Sequence, residues 1–255
     1  MKVISIINLK GGVGKTISAI NIAHILSEVH GARVLLVDND KQGNTSKFFG
    51  LHSYDKPCIS EVLTVKGFDV AEAIQYTAFE RLDVLPSNMT LLRANKEILL
   101  DCARPQQTRL RKAFDGIKGD YDYAVIDNAP DLNMSVINAL VATNDVMIPI
   151  KVDSFAFDGV AQIMEQVEET REFNTEISIA GGFITMWQRN NVNAQGKAYL
   201  EDVDGLPKLD TIIRKTVAVD ETTFAGLPIV RYNARSTAAR DYVSLVDEDL
   251  KRGGA

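Results

Sequence analysis

The sequence predicts one α/β domain, a mostly parallel twisted sheet with helices on both faces. Three observations carry this reading. Short runs that are apolar on both faces alternate with helical patterns along the chain, as in a parallel sheet covered on both sides. Residues 1–255 contain no Pro/Gly/Ser-rich linker, internal repeat or break in composition. The first strand passes through a glycine-rich loop directly into a helix, which is how such a sheet receives a phosphate.

The elements follow in order. Val3–Asn8 reads as the first strand and Lys15–His30 as the first helix. Arg33–Asp38 (RVLLVD) is the second strand. Gly50–Thr77 has the weakest pattern and is expected to be the least ordered part. Leu82–Leu85 is the third strand, followed by helices over Thr90–Leu100 and Gln106–Ile117. Tyr123–Asp127 (YAVID) is the fourth strand and Leu132–Ala142 the next helix. Val146–Ile150 is the fifth strand, Phe157–Phe173 a helix and Ile177–Thr185 the sixth strand. Leu209–Ile213 could be a seventh. A helix over Ser236–Lys251 closes the pattern.

Composition bounds the function. The chain has 255 residues, 45% hydrophobic and 24% charged, which is ordinary for a globular protein. Lys plus Arg number 28 against 34 Asp plus Glu, for a net charge of −6. That argues against a chain basic all over, as many small nucleic-acid binders are, and leaves room for a local basic patch. The longest uncharged stretch, Leu132 to Asn144, is 13 residues and includes three asparagines; a membrane-spanning helix needs about 20 mostly apolar residues. The apolar run after Met1-Lys2 is too short for a signal-peptide core. Cys58 and Cys102 form no CxxC pattern and read as reduced thiols, a disulfide or cluster ligand being the alternative. These features point to a cytoplasmic protein.

The chemistry starts at Leu9-Lys10-Gly11-Gly12-Val13-Gly14-Lys15-Thr16. Glycines let backbone N–H groups turn inward toward phosphate oxygens, and the helix that follows adds the positive end of its dipole. Lys15 would lie on the β- and γ-phosphates and the Thr16 hydroxyl would ligate Mg²⁺. The ordinary pattern G-x4-G-K-[ST] is not met, because its first glycine falls on Leu9. A Lys at position 10 and a glycine pair stand there instead. Two acidic segments accompany the loop. Asp38-Asn39-Asp40-Lys41-Gln42-Gly43-Asn44 follows the second strand, and its two carboxylates, two residues apart, share a face in extended chain. Tyr123-Ala124-Val125-Ile126-Asp127 is an apolar strand ending in Asp, the Walker B pattern.

Lys10 to Thr16 resembles the deviant Walker A motif of the ParA/MinD group of P-loop ATPases, which also includes the nitrogenase iron protein and related metal-cluster carriers. Asp38 to Asn44 is similar to that group's D-x-D-P-Q-x-N segment, with Lys41 in place of Pro. Asp127-Asn128-Ala129-Pro130 is similar to its Walker B strand followed by x-Pro-Pro. The resemblance covers residues 2 to about 245. It implies ATP and Mg²⁺ as cofactors, bound by a cradle of Lys10, Gly11, Gly12, Val13, Gly14, Lys15, Thr16 and Ile17. Lys15 would be the loop lysine, and Lys10 the signature lysine that crosses a dimer interface to the partner's ATP. Asp40 would orient the attacking water, with Lys10 and Lys15 also serving catalysis. Asp38 and Asp127 would join Thr16 around the Mg²⁺. The adenine would meet Arg214 and Thr216, in a segment reading Ile213-Arg214-Lys215-Thr216-Val217 where the group often has I-P-R-N-V.

Within the group, the C-terminal segment from Tyr242 to Arg252 is acidic in its middle, unlike the basic amphipathic helix of a membrane-bound MinD-like protein. The cysteines are not placed for Fe–S ligation, and no terminal tyrosine cluster marks a kinase relative. The remaining branch is the small ParA/Soj type, without an N-terminal helix-turn-helix domain. It implies an ATP-dependent homodimer, non-specific DNA binding, a ParB-like adaptor that stimulates hydrolysis, no membrane, and nucleoid association. The cargo would be a chromosome, plasmid or mobile element. The alternative is an ATP-switched regulatory protein or a MinD-like membrane-cycling positioner. Leu206 to Arg240 carries six basic residues against three acidic ones. Lys208, Arg214, Lys215, Arg235 and Arg240 are the DNA-binding candidates there, a solvated mixed surface being the alternative. A second basic set, Arg104, Arg109, Arg111 and Lys112, reads as a solvated helix face.

Overall fold

The computed structural model describes residues 1–153 and 158–253. In chain order, β1 (Lys2–Ile6) leads through the glycine loop to α1 (Lys15–Glu28), then β2 (Val34–Asn39), α2 (Asn44–Phe48) and α3 (Ile59–Thr64). A 3₁₀ turn at Val70–Glu72 precedes β3 (Gln75–Tyr76), β4 (Leu82–Leu85), α4 (Thr90–Leu100) and α5 (Arg109–Asp115). The chain continues with β5 (Tyr123–Asn128), α6 (Met134–Ala142), β6 (Asp145–Lys151), α7 (Asp158–Thr170) and β7 (Ser178–Thr185). It ends in α8 (Asn191–Glu201), α9 (Val217–Ala225), α10 (Ile229–Asn233) and α11 (Thr237–Gly253).

The strands form one sheet in the order β3-β4-β2-β5-β1-β6-β7. Every neighbouring pair is parallel except β3 with β4 at the edge. Alternation along each strand divides the core between two faces. Ile4, Ile6, Val34, Leu36 and Val125 pack with α1, α10 and α11 on one face. Val3, Leu35, Val37, Ala124 and Ile126 pack with α3, α4 and α5 on the other. Val146, Ile148, Ile150 and Ile184 extend that second face under α6 and α7. With β5 in the middle of the sheet and β2 and β1 on either side of it, the C-terminal ends of β1, β2 and β5 converge where the glycine loop begins.

Three expectations change. Leu209–Ile213 is not a strand. Isolated bridges flank it on either side, Gly182 to Lys208 and Trp187 to Arg214, and the hydrogen bonds that reach it from Gly182, Ile184 and Trp187 come at intervals and close no ladder among the described residues. Gly50–Thr77 is built rather than loose. It holds α3, the 3₁₀ turn and β3, and α3 has a capping box in which the Glu61 carboxylate accepts from the Cys58 N–H at 2.9 Å. Helix ends shift by a few residues, the largest change being Gln106–Ile117, which shortens to Arg109–Asp115. Phe157, the expected start of the helix before Phe173, lies outside the described residues. Cys58 is buried, Cys102 is exposed and both are free thiols. Among the described residues no helix is long and apolar enough to cross a membrane.

Candidate functional site

The loop between β1 and α1 depends on two glycines with left-handed backbone, Gly12 at φ 72° and Gly14 at φ 90°, a conformation that side chains with a Cβ resist. Its ends are fastened by side chains. Buried Asn8 accepts from the Lys10 N–H at 2.9 Å and donates to the Pro149 carbonyl at 2.9 Å. The Thr185 hydroxyl donates to the Val13 carbonyl at 2.8 Å. Lys15 turns back into the loop and its ammonium donates to the Lys10 carbonyl at 2.8 Å. Burial lowers the Lys15 pKa, and the nearby Asp127, Asp40 and Asp131 carboxylates oppose that shift. Lys10 goes elsewhere: its ammonium pairs with Asp153, just beyond β6. The two lysines of one loop therefore have different environments.

Register on the sheet brings the carboxylates together. Asp38 on β2 and Asp127 on β5 are Cα partners, the last pair but one before both strands end. Both are buried, at 0% and 1% exposure. Asp38 accepts from the Ser46 N–H at 2.8 Å, the Ser46 hydroxyl at 2.6 Å and the Asp40 N–H at 3.2 Å. Asp127 accepts from the Thr45 hydroxyl at 2.8 Å, and the Thr16 side chain lies close enough to favour its charged form. Burial raises both pKa values above the ordinary carboxylate range, and like charge adds to it, from Asp40 at Asp38 and from Asp38 at Asp127. Asp40 caps its own turn, accepting from the Gln42 N–H at 2.9 Å, while its carbonyl accepts from the Gly43 N–H. These bonds set the turn that a proline at position 41 would otherwise stiffen. Lys41 instead pairs with Asp131 across the cleft at 3.3 Å.

The oxygen donors fit a hard divalent cation. The Asp127 Oδ1 is buried with no hydrogen-bond partner among the described residues, and the hydroxyl of Thr16 reaches the same carboxylate. No group of three His, Cys, Asp or Glu among the described residues is placed to hold a metal alone. Mg²⁺ is ordinarily held in this way, through one or two carboxylates together with phosphate oxygens. Thr16, Asp38 and Asp127 can hold it here, where it would supply positive charge to the phosphates.

Beside the loop lies a cleft of about 100 Å³ lined by Gly14, Ile17, Met186, Arg214, Thr216 and Tyr242, among others. Thr216 Oγ1 is buried there with no hydrogen-bond partner among the described residues, an atom able to meet a polar edge of a base. The Arg214 guanidinium is held on Asp241, at 2.5 Å and 2.9 Å. The remaining basic candidates do not share one element. Lys208 bonds the Glu201 carbonyl at 2.6 Å. Lys215, Arg235 and Arg240 are exposed and carry no ion pair among the described residues. In the second basic set, Arg104 and Arg109 both pair with Asp101 and donate to carbonyls at the end of α3, from Thr64 and Leu63. Those two arginines cap a helix end, while Arg111 and Lys112 remain on an exposed helix face as expected.

Sequence reasoning missed Asn8, Thr45 and Ser46. Thr45 and Ser46 follow Asn44 directly, and a hydroxyl pair just after an acidic turn was the available signal. Asn8 carried none, because its partners lie 2 and 141 positions away.

A parallel sheet with its glycine loop at the C-terminal ends, a buried lysine in the loop and two strand-end carboxylates define a nucleotide-binding P-loop protein. An AAA-domain family matches residues 1–179. The chain is 36% identical to the sporulation initiation inhibitor protein Soj of Bacillus subtilis, over 99% of both proteins. It is 33% identical to the chromosome partitioning protein ParA of Caulobacter vibrioides, over 99% of this chain and 95% of that one. The structure of cobyrinic acid a,c-diamide synthase from Mycobacterium smegmatis, with bound ATP analogue and magnesium, matches with TM-score 0.85 at 28% identity, over 100% of this chain and 96% of that one. The chain belongs to the ParA/MinD family of P-loop ATPases. It is an ATP hydrolase whose cofactors are ATP and Mg²⁺.

Proposed function

We propose that the protein is a ParA/Soj-type partition ATPase that dimerises on ATP, binds DNA non-specifically as the dimer, and is returned to monomers by slow hydrolysis stimulated by a ParB-like adaptor. All 255 residues act as one ATPase unit in this reading. The observation that carries it is the divergence of the two loop lysines. Lys15 is buried in the loop, while Lys10 stands partly exposed on Asp153. In a dimer the Lys10 ammonium would exchange Asp153 for the phosphates of the second subunit's nucleotide. There it would add a cation to phosphates that one subunit leaves uncovered, which makes association depend on the nucleotide.

Residue roles follow. Lys15 and the backbone of residues 11–14 hold the phosphates, with Lys10 and Ile17 completing the cradle. Thr16, Asp38 and Asp127 organise the metal. Asp40 orients the attacking water. Thr216, with Arg214 beside it, borders the adenine. DNA meets Lys215, Arg235 and Arg240, with Lys208 and Arg214 contributing less because their charged ends already have partners. Lining up cations doubled by a dimer suffices for phosphate-backbone binding, so the chain's net charge of −6 is no obstacle. In this reading the protein acts on the nucleoid, with a chromosome, plasmid or mobile element as cargo; the chromosome-partitioning names of its relatives support it. The membrane-cycling reading has less support, because α11 buries Tyr242, Leu245 and Val246 in the core beside α1.

The test is Lys10→Ala. The variant is expected to bind ATP yet elute as a monomer in gel filtration with ATP. A full dimer under those conditions would remove Lys10 from the interface.

A further inference from the structure

Behind the carboxylates lies a chain of buried amides that the ATPase motifs leave unassigned. Asn39 and Asn128 occupy the two positions where the family patterns D-x-D and D-x-P-P leave the residue open. They are Cα partners, the last pair of the β2–β5 ladder. Alternation turns them to the face opposite Asp38 and Asp127. The Asn39 Nδ2 donates to the Asn128 Oδ1 at 2.8 Å and to the Ser135 carbonyl on α6 at 3.1 Å. The Asn128 Nδ2 donates to the Ile6 carbonyl of β1 at 3.3 Å. The Ser135 N–H in turn donates to the Asn95 Oδ1 of α4 at 2.7 Å. Asn39, Asn128 and Ser135 are all buried, none above 1% exposed.

Packing alone does not call for this arrangement. Apolar residues would fill the same space without desolvating two amides, whose burial is unfavourable unless they are bonded. What an amide pair adds is direction. Among the described residues, the one backbone tie between β2 and β5 beyond the last register pair is the Ala129 N–H to the Asn39 carbonyl at 3.3 Å, longer than the side-chain bridge at 2.8 Å. Two adjacent carboxylates on one face favour separation of the strand ends, and the bridge on the other face opposes it. The next residue along β2 is Asp40.

We propose that Asn39 and Asn128 are positioning residues for ATP hydrolysis. Their amide bridge, anchored to α6 through Ser135 and to α4 through Asn95, holds the Asp38–Asp40 segment at a fixed distance from the Asp127 strand. They act through the carboxylates and touch neither nucleotide nor water.

The experiment compares Asn39→Leu, Asn128→Leu and the double variant with the unaltered chain, measuring thermal midpoint, ATP turnover and hydrogen exchange. Each single variant leaves a buried polar partner unpaired. Each is expected to lose about 4 °C in midpoint and roughly tenfold in kcat, with KM for ATP within about twofold. Exchange should quicken at residues 40–43 and in the first turn of α6, while β1 and β6 stay protected. The double variant, apolar on both sides, should regain most of the midpoint and keep the low kcat. Recovery of kcat together with the midpoint would reduce the pair to packing and overturn the proposal. So would an unchanged kcat in the single variants, or exchange that quickens evenly across the sheet. Should Leu prevent folding, Asn39→Ser is expected to show the same loss of kcat at unchanged KM, and normal kcat in that variant would also overturn the proposal.

Discussion

The phosphate end of the sheet and the segment from Leu206 to Arg240 both carry charged side chains assigned to polyanions, but they hold them in different ways. At the phosphate end Lys15, Asp38 and Asp127 are 8%, 0% and 1% exposed, and each is fixed by named hydrogen-bond partners. In the basic segment Lys215, Arg235 and Arg240 are exposed, and Arg214 and Arg231 are engaged with Asp241 and Glu28. The difference fits the two tasks proposed for them. Phosphoryl transfer needs donors and carboxylates preorganised to within a fraction of an ångström. Non-specific binding to a DNA backbone needs only positive charge at the right surface, with its strength set by counterion release. The first region should therefore respond to substitution by loss of chemistry, and the second by a graded, salt-dependent loss of affinity.

Asp40→Ala should give the largest effect. Turnover is expected to fall by roughly 10²–10⁴-fold, the range for removing a group that orients or accepts a proton, while ATP-driven dimerisation measured by gel filtration persists. Turnover near normal would move the water-orienting role away from Asp40. A smaller effect is expected at the basic segment. Lys215→Ala combined with Arg235→Ala should weaken binding of the ATP-loaded protein to mixed-sequence duplex by roughly tenfold at low salt, and flatten the log-affinity against log-salt slope by about two. Turnover without DNA should not change. An unaltered slope would locate the DNA surface elsewhere.

The smallest effect is on stability, and its sign separates the regions. Burial raises the pKa of Asp38 and Asp127 in the folded protein. The folded state thus holds protons more tightly than the unfolded chain. The contribution of these groups to stability falls as pH rises from the ordinary carboxylate range through their folded values. Asp127→Asn, neutral at every pH, is expected to raise the thermal midpoint of the nucleotide-free protein by about 3 °C at neutral pH. The advantage should shrink on acidification, and hydrolysis is lost. The basic-segment double variant should shift the midpoint by less than about 1 °C. A midpoint for Asp127→Asn below that of the unaltered chain would show that the carboxylate stabilises the fold.

The same contrast explains what could be read in advance. Six of the seven strands were legible because buried parallel strands are continuous apolar runs, and the loop because glycines, Lys10, Lys15 and Thr16 are adjacent in sequence. The edge strand β3 escaped notice, since two residues, Gln75 and Tyr76, carry no periodicity. Helix α8 was also missed. It buries only Leu200 and contains Gly196, where a Cβ would lie 1.9 Å from Val152, so close approach rather than an apolar stripe places it. Leu209–Ile213 looked like a strand because its apolar residues face the core, yet burial does not require a closed ladder. In the site, the carboxylates were evident from their strand-end positions. Thr45, Ser46 and the Asn39–Asn128 pair were not, since their roles arise from partners brought close only by the β2–β5 register.

Whether the protein is a nucleotide-gated DNA-binding dimer is decided by binding of the intact protein to mixed-sequence duplex DNA with ATP and Mg²⁺ or with ADP and Mg²⁺, at salt from about 50 to about 200 mM. Binding is expected only with ATP, and it should weaken steeply as salt rises and disappear in Lys10→Ala. Equal binding with ADP, or no binding with ATP at the lowest salt, would contradict the account.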